Sequence, residues 1–291
     1  MSDEADGDDD NRQLAGLYEA VELLGKTARA ATSDLSLLRQ SLLFAVLSKI
    51  SYFPPEVAWE TVESIGYEHH EFLNRDGAQA YIFDSPTDCV VVCRGTEPNE
   101  WNDIRADANA VSTLAETAGR VHRGFKREVD DLWPRIELAL KENEKPLWFA
   151  GHSLGGAMAT ICAGRCKLAE IPSNPEAIFS FGSPRVGNYR YINFVKIRHY
   201  RWVNNNDIVT RVPPRWMGYR HCGRELYFNA HGKLREYRPL ERFRDRWHGF
   251  FLSLRKWQID HLTDHSMSRY IEYVRGAVEM EESGQIKPVM K

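Results

Sequence analysis

The chain predicts an α/β fold in which helices flank a central, mostly parallel sheet. Three observations carry that prediction. Short apolar strands alternate with helical segments through the middle of the chain. Polar loop chemistry follows the strand ends. A Gly-x-Ser-x-Gly turn joins one such strand, Leu147 to Ala150, to a small-residue helix beginning near Ala157. A chain of 291 residues can bury roughly 75% of its unfolded surface and needs no staples. One motif set spans it, so a single domain over 32–278 is expected, with a disordered acidic leader over 1–31 and a tail over 279–291.

Element by element, Leu35 to Tyr52 places Leu38, Leu42, Leu43, Val46 and Ile50 at helical spacing. Thr32-Ser33-Asp34 offers the cap and Pro54-Pro55 the stop. Ala80 to Phe83 and Cys89 to Cys93 flank the turn signal Asp84-Ser85-Pro86-Thr87-Asp88, which predicts a hairpin entering a central strand. Val121 to Leu140 is patterned as an amphipathic helix. Ala177 to Phe181 and His199 to Val203 are further short strands.

Composition excludes several classes. The net charge of −3 with mixed signs gives nucleic acid no electrostatic footprint. Asp3, Glu4, Asp6, Asp8, Asp9 and Asp10 make the leader the opposite of a secretory signal. No apolar run approaches the ~18 residues of a membrane span. The five cysteines (Cys89, Cys93, Cys162, Cys166, Cys222) are odd in number and lie in apolar or helical settings, which suggests free thiols in a reducing compartment. Cys162 and Cys166 share a helix face, but no other cluster has matching ligand spacing, so no metal and no cofactor are expected. These features together predict a cytoplasmic chain, soluble or peripheral to a membrane.

The chemistry centres on Leu147-Trp148-Phe149-Ala150-Gly151-His152-Ser153-Leu154-Gly155-Gly156. A strand running into Gly-x-Ser-x-Gly and then a helix is the order a nucleophile elbow requires. The turn is so sharp that side chains two residues before and after the serine would collide, and both positions are glycine. Ser153 is therefore the candidate nucleophile. Its hydroxyl needs an imidazole held by a carboxylate. Asp207, at the end of the polar turn Asn204-Asn205-Asn206, supplies an acid at a strand end in the expected chain order, although an aspartate there also suits an ordinary Asx-turn. Among ten histidines, His265 lies on a loop feeding a last apolar helix (Tyr270, Ile271, Val274) and is favoured over His261 as the base. Asp264 beside it is a second carboxylate that suits loop support. His152 suggests a structural residue, and His69 and His70 fall before the expected start of the sheet. For an oxyanion, Leu154 offers the N–H after the nucleophile, and Thr96 in Arg94-Gly95-Thr96 offers a second from an earlier strand end.

Taken in order, these residues resemble the class 3 (fungal-type triacylglycerol) lipase family of the α/β-hydrolase fold. The resemblance runs through Leu43-Phe44-Ala45, Lys49-Ile50-Ser51-Tyr52, Arg94-Gly95-Thr96 and Val121-His122-Arg123-Gly124-Phe125. It continues through the Ser153 elbow, Phe181-Gly182-Ser183-Pro184-Arg185-Val186-Gly187-Asn188, Asn204 to Ile208, Arg211-Val212-Pro213-Pro214 and Asp264-His265 with Tyr270. It covers about residues 35 to 275 and implies Ser153, Asp207 and His265 as a triad, Thr96 and Leu154 as the oxyanion hole, and a lipid ester as substrate. A phospholipid sn-1 ester, a small soluble ester, and a non-catalytic lipid-binding scaffold are the other readings it leaves.

Two segments depart from the family pattern. The stretch 99–107 keeps Trp101 but is otherwise polar where the family carries an apolar lid, and a polar lid has little apolar area to trade at an interface. Residues 242–257 place Phe243, Trp247, Phe250, Phe251, Leu254 and Trp257 on one helical face framed by Arg242, Arg244, Arg246, Arg255 and Lys256. That pattern suits peripheral membrane contact beside the His265 loop, and equally a core helix with a solvated cationic face. Oligomeric state is not legible.

Overall fold

The computed structural model describes residues 15–25, 27–95, 111–205, 207–235 and 265–291. The first element is a helix over 15–24 (α1) that buries Leu17, Ala20 and Leu24 in the core. Within the expected leader over 1–31, residues 15–24 are thus helical, because an apolar stripe at helical spacing docks even amid polar neighbours, and residues 1–14 lie outside the described residues. The tail is corrected too. The last helix ends at Glu282, and Ile286 and Val289 beyond it pack against the same core.

Helix α2 (Leu37–Ile50) is capped by Ser36, whose Oγ accepts the Arg39 N–H at 3.3 Å. The expected cap, Thr32 to Asp34, forms a separate 3-10 turn, whose Thr32 N–H donates to Asp88 at 2.9 Å. The same carboxylate accepts from the Trp148 indole at 2.7 Å, so one buried aspartate ties this turn to the central sheet. Helix α3 (Pro55–Ile65) starts on proline and ends at Gly66 in the left-handed region.

The main sheet contains β1 (His69–Arg75), β2 (Ala78–Asp84), β3 (Cys89–Cys93), β6 (Leu147–His152), β7 (Pro175–Phe181), β9 (Arg198–Asn204), β11 (Arg224–Phe228) and β12 (Leu234–Arg235) in that spatial order. The run β3-β6-β7-β9-β11 is parallel, and the outer pairings are antiparallel. His69 and His70 are thus on the edge strand, not before the sheet; the His70 ring stacks on Trp59 at 4.8 Å. A parallel sheet must be covered on both faces, and its central strands β3 and β6 are accordingly buried along their whole length. Trp148, Ala150, Phe179 and Phe181 face α1, α2 and α7 (Met267–Glu282). Leu147, Phe149 and Ile178 face α4 (Arg123–Leu140) and α5 (Leu154–Arg165). Phe44 of α2 stacks on Phe179 at 4.3 Å.

The helix expected from Val121 begins only at Arg123, because Arg120–His122 is β5 of a second, small sheet. That sheet joins β4 (Ser112–Leu114), β5, β8 (Gly187–Asn188) and β10 (Tyr219–Arg220). Helix α6 (Tyr189–Val195) follows β8 and is capped by Asn188. Strands β8 and β10 follow the C-terminal ends of β7 and β9, so the small sheet lies at the end of the main sheet where β6 delivers Ser153. The Arg185 N–H bonds the Val212 carbonyl at 2.7 Å and stitches those two excursions together.

Candidate active site

Strand β6 ends at His152 and α5 begins at Leu154, leaving Ser153 alone to reverse the chain. It does so at φ 58°, ψ −130°, a conformation that L side chains rarely adopt. Its N–H is anchored on the Phe181 carbonyl at 2.9 Å. Both flanking glycines are sterically required. A Cβ on Gly151 would strike the Gly155 backbone, and a Cβ on Gly155 would strike the Cys93 carbonyl at the end of β3. The first collision is the one expected of the turn. The second shows the elbow also pressed against the neighbouring strand.

The three expected side chains come together. His265 Nε2 lies 2.8 Å from Ser153 Oγ, and His265 Nδ1 lies 2.9 Å from Asp207 Oδ2. All three residues are buried. With the Nδ1 proton donated to the carboxylate, the Nε2 lone pair faces the serine hydroxyl and can accept its proton. Asp207 is held from both sides. Its Oδ1 accepts the Val209 N–H at 2.9 Å, and its Oδ2 accepts the Tyr270 hydroxyl at 2.6 Å. The Asx-turn reading and the acid reading therefore coexist, because a carboxylate has an oxygen for each. Tyr270 in turn accepts the Asn204 N–H at 2.9 Å, which ties α7 to the end of β9.

Sequence reasoning gave His152 a merely structural role, and Tyr52 none at the site. The structure links both to the site. His152 Nε2 lies 2.7 Å from the backbone carbonyl of His265, and the Tyr52 hydroxyl lies 2.9 Å from His152 Nδ1. A carbonyl only accepts, so Nε2 carries the proton and Nδ1 receives the Tyr52 O–H. Burial, and then the neighbouring His265, push the His152 imidazole well below its usual range, which keeps it in that neutral form. The Arg94 guanidinium lies over the Tyr52 ring at 5.5 Å from its centroid. No local pattern signals this chain, because it joins residues far apart in sequence.

Leu154 is the first residue of α5, where a backbone N–H has no intrahelical acceptor. Gly95 passes close to the elbow, since a Cβ there would sit 3.2 Å from Ser153 Cβ and 2.6 Å from the His152 carbonyl. Thr96, the segment 99–107, the segment 242–257, His261 and Asp264 lie outside the described residues. Among the described residues no three His, Cys, Asp or Glu side chains converge on a metal-sized site.

The model of the class 3 lipases matches residues 90–217, a stretch that includes the Ser153 elbow and Asp207. The chain belongs to the class 3 lipase family. A lipase from Rhizomucor miehei is 31% identical over 223 residues, 68% of this chain and 60% of that protein. Secreted mono- and diacylglycerol lipase 1 of Fusarium solani is 34% identical over 118 residues, 38% of this chain and 34% of that one. Phospholipase A1-II 4 of Oryza sativa is 32% identical over 178 residues, 48% of this chain and 43% of its own. The chain thus spans between about a third and three fifths of the length of these relatives. Among solved structures, lipase II from Rhizopus niveus superposes with a TM-score of 0.54 at 24% identity, covering 68% of this chain and 82% of that one; this shows the shared fold. The relatives from Fusarium solani and Malassezia globosa are secreted mono- and diacylglycerol lipases. That overturns the expectation of a cytoplasmic chain drawn from free thiols and an acidic leader.

Proposed function

We propose that this class 3 lipase family member is a serine carboxylic-ester hydrolase acting on acyl esters of acylglycerols. The observation that carries the reading is the buried, hydrogen-bonded series from Ser153 through His265 to Asp207. In this reading His265 Nε2 takes the Ser153 proton as Oγ attacks the ester carbonyl. The oxyanion of the tetrahedral intermediate accepts the Leu154 N–H and a second donor assigned to Thr96. The Nε2 proton then passes to the departing alcohol. Water, deprotonated by the same nitrogen, attacks the acyl-enzyme, releases the carboxylic acid and restores Ser153. Asp207 stabilises the imidazolium and fixes its tautomer. No step calls for a cofactor.

The acylglycerol class follows the mono- and diacylglycerol lipase relative. A phospholipid sn-1 ester is the second reading, favoured by the phospholipase A1 relative. The test is acid release from diacylglycerol, phosphatidylcholine and p-nitrophenyl esters of rising chain length, for wild type and Ser153→Ala. Ser153-dependent release fastest on diacylglycerol supports the proposal. Release fastest on phosphatidylcholine selects the second reading, and a profile peaking at acetate makes the chain a small-ester esterase. No Ser153-dependent release on any ester contradicts all three and leaves the scaffold reading.

A further inference from the structure

The small sheet carries an unusual surface at the Ser153 end of the molecule. Trp216 is 83% exposed, Tyr189 and Leu114 are each 68% exposed, and Val111 is 48% exposed. They come from three separate stretches of chain that the sheet draws together. Leu114 pairs with Arg120, Val121 with Gly187, and Tyr219 with Asn188. The Arg120 N–H donates to Asn188 Oδ1 at 3.1 Å, immediately before Tyr189. Arg220 Nη1 donates to the Arg215 carbonyl at 2.7 Å, immediately before Trp216.

The charged groups beside these apolar side chains are mainly cationic. Arg120, Arg190 and Arg215 are exposed and Arg220 is partly so. Among the described residues none of the four is in an ion pair; Arg120 and Arg220 bond only uncharged acceptors, Ser112 and backbone carbonyls. The one acidic side chain described between Val111 and Arg120, Glu116, is already engaged by Lys126 and Arg165.

We infer that this face docks the chain onto an anionic lipid surface. Exposed Trp and Tyr rings favour the headgroup level of a bilayer, and guanidinium groups around them match lipid phosphates. A mainly cationic rim is complementary to an anionic surface and would repel a second copy of the same face. Docking here presents the Ser153 end of the sheet to the lipid, so the inference deepens the hydrolase proposal and rests on it for what is delivered to the site.

The experiment is co-sedimentation of the full chain, carrying Ser153→Ala to silence turnover, with phosphatidylcholine vesicles with and without phosphatidylglycerol. The expected result is binding that requires phosphatidylglycerol and weakens as salt is raised. Arg190→Glu with Arg215→Glu should lower the partition coefficient by at least ~20-fold, and Trp216→Ala should lower it further. Leu138→Ala, an exposed apolar control near the far end of α4, should bind as before. In the Ser153 background, the same variants should hydrolyse a soluble ester at the wild-type rate, which shows that they fold. Equal binding to both vesicle types, or undiminished binding by the charge-reversed variant, overturns the inference. Binding that follows these rules while the wild type hydrolyses no ester would retain the surface and remove the hydrolase reading, so the two failures are distinct.

Discussion

The ring of His152 holds the backbone carbonyl of His265 at 2.7 Å, so the residue that precedes the candidate nucleophile also positions the loop bearing the candidate base. Two parts of the site that are 113 residues apart are thereby fixed to each other directly rather than only through the sheet.

Substituting His152 by Phe should lower kcat by roughly tenfold with little change in KM. It removes a buried hydrogen bond of ~1–3 kcal/mol that orients the base without touching substrate. Tyr52→Phe, which leaves the carbonyl contact in place, should have a smaller effect. Steady-state kinetics on a soluble ester checks both. A rise in KM at constant kcat would assign His152 to substrate binding instead.

Tyr270→Phe tests the support of the acid. Its hydroxyl donates to Asp207 Oδ2 and accepts the Asn204 N–H, so the variant removes both of these buried hydrogen bonds. Stability should fall by about 1–3 kcal/mol, read from the urea midpoint, and kcat should fall with it. Wild-type kcat in a destabilised variant would confine Tyr270 to the fold.

Gly182 is a tight backbone position that faces both the acid and the base. Its φ is +61°, and a Cβ there would sit 2.8 Å from Asp207 Oδ2 and 2.9 Å from His265 Nδ1. Gly182→Ala should therefore push the acid and base apart and cost more than ~100-fold in kcat. Circular dichroism reports whether the chain still folds. A folded Gly182→Ala variant with unimpaired turnover would contradict the assigned geometry.

Acid stability should depend on buried neutral histidines. His199 bonds Ser180 Oγ at 2.7 Å and Cys222 Sγ at 3.1 Å. Burial, and then the Arg201 charge, push it from an ordinary 6.5 down to about 3. His152 and His221 are displaced the same way, chiefly by burial. Below 6.5 the unfolded chain takes up protons that the folded chain refuses. Stability is therefore fully present above that value and lost as pH falls toward 3, at up to ~1.4 kcal/mol per pH unit for each such histidine. Urea midpoints from neutral pH to ~pH 4 should fall steeply for wild type and less steeply for His199→Gln. Identical slopes would mean that His199 does not carry the effect.

Sequence legibility followed the range of the interactions. The β6–Ser153–α5 unit is a local motif whose glycines, strand and helix are contiguous, and it is legible at once. Asp207 and His265 were legible because chain order constrains them, although the two-sided clamp on Asp207 is not. The strands of the small sheet are two or three residues long, too short for any periodicity, so the start of α4 was misplaced. Helix α1 was hidden by the acidic composition around its apolar stripe. The His152 and Tyr52 contacts exist only once the fold has brought distant residues together.

The most direct test of the central claim, that Ser153 is the nucleophile activated by His265, is labelling with a serine-reactive fluorophosphonate followed by peptide mass spectrometry. The account predicts one adduct, on Ser153. Labelling should be abolished in Ser153→Ala and slowed by ~10³-fold or more in His265→Ala, in parallel with ester hydrolysis. An adduct on another residue, or ester turnover that survives in Ser153→Ala, would contradict it.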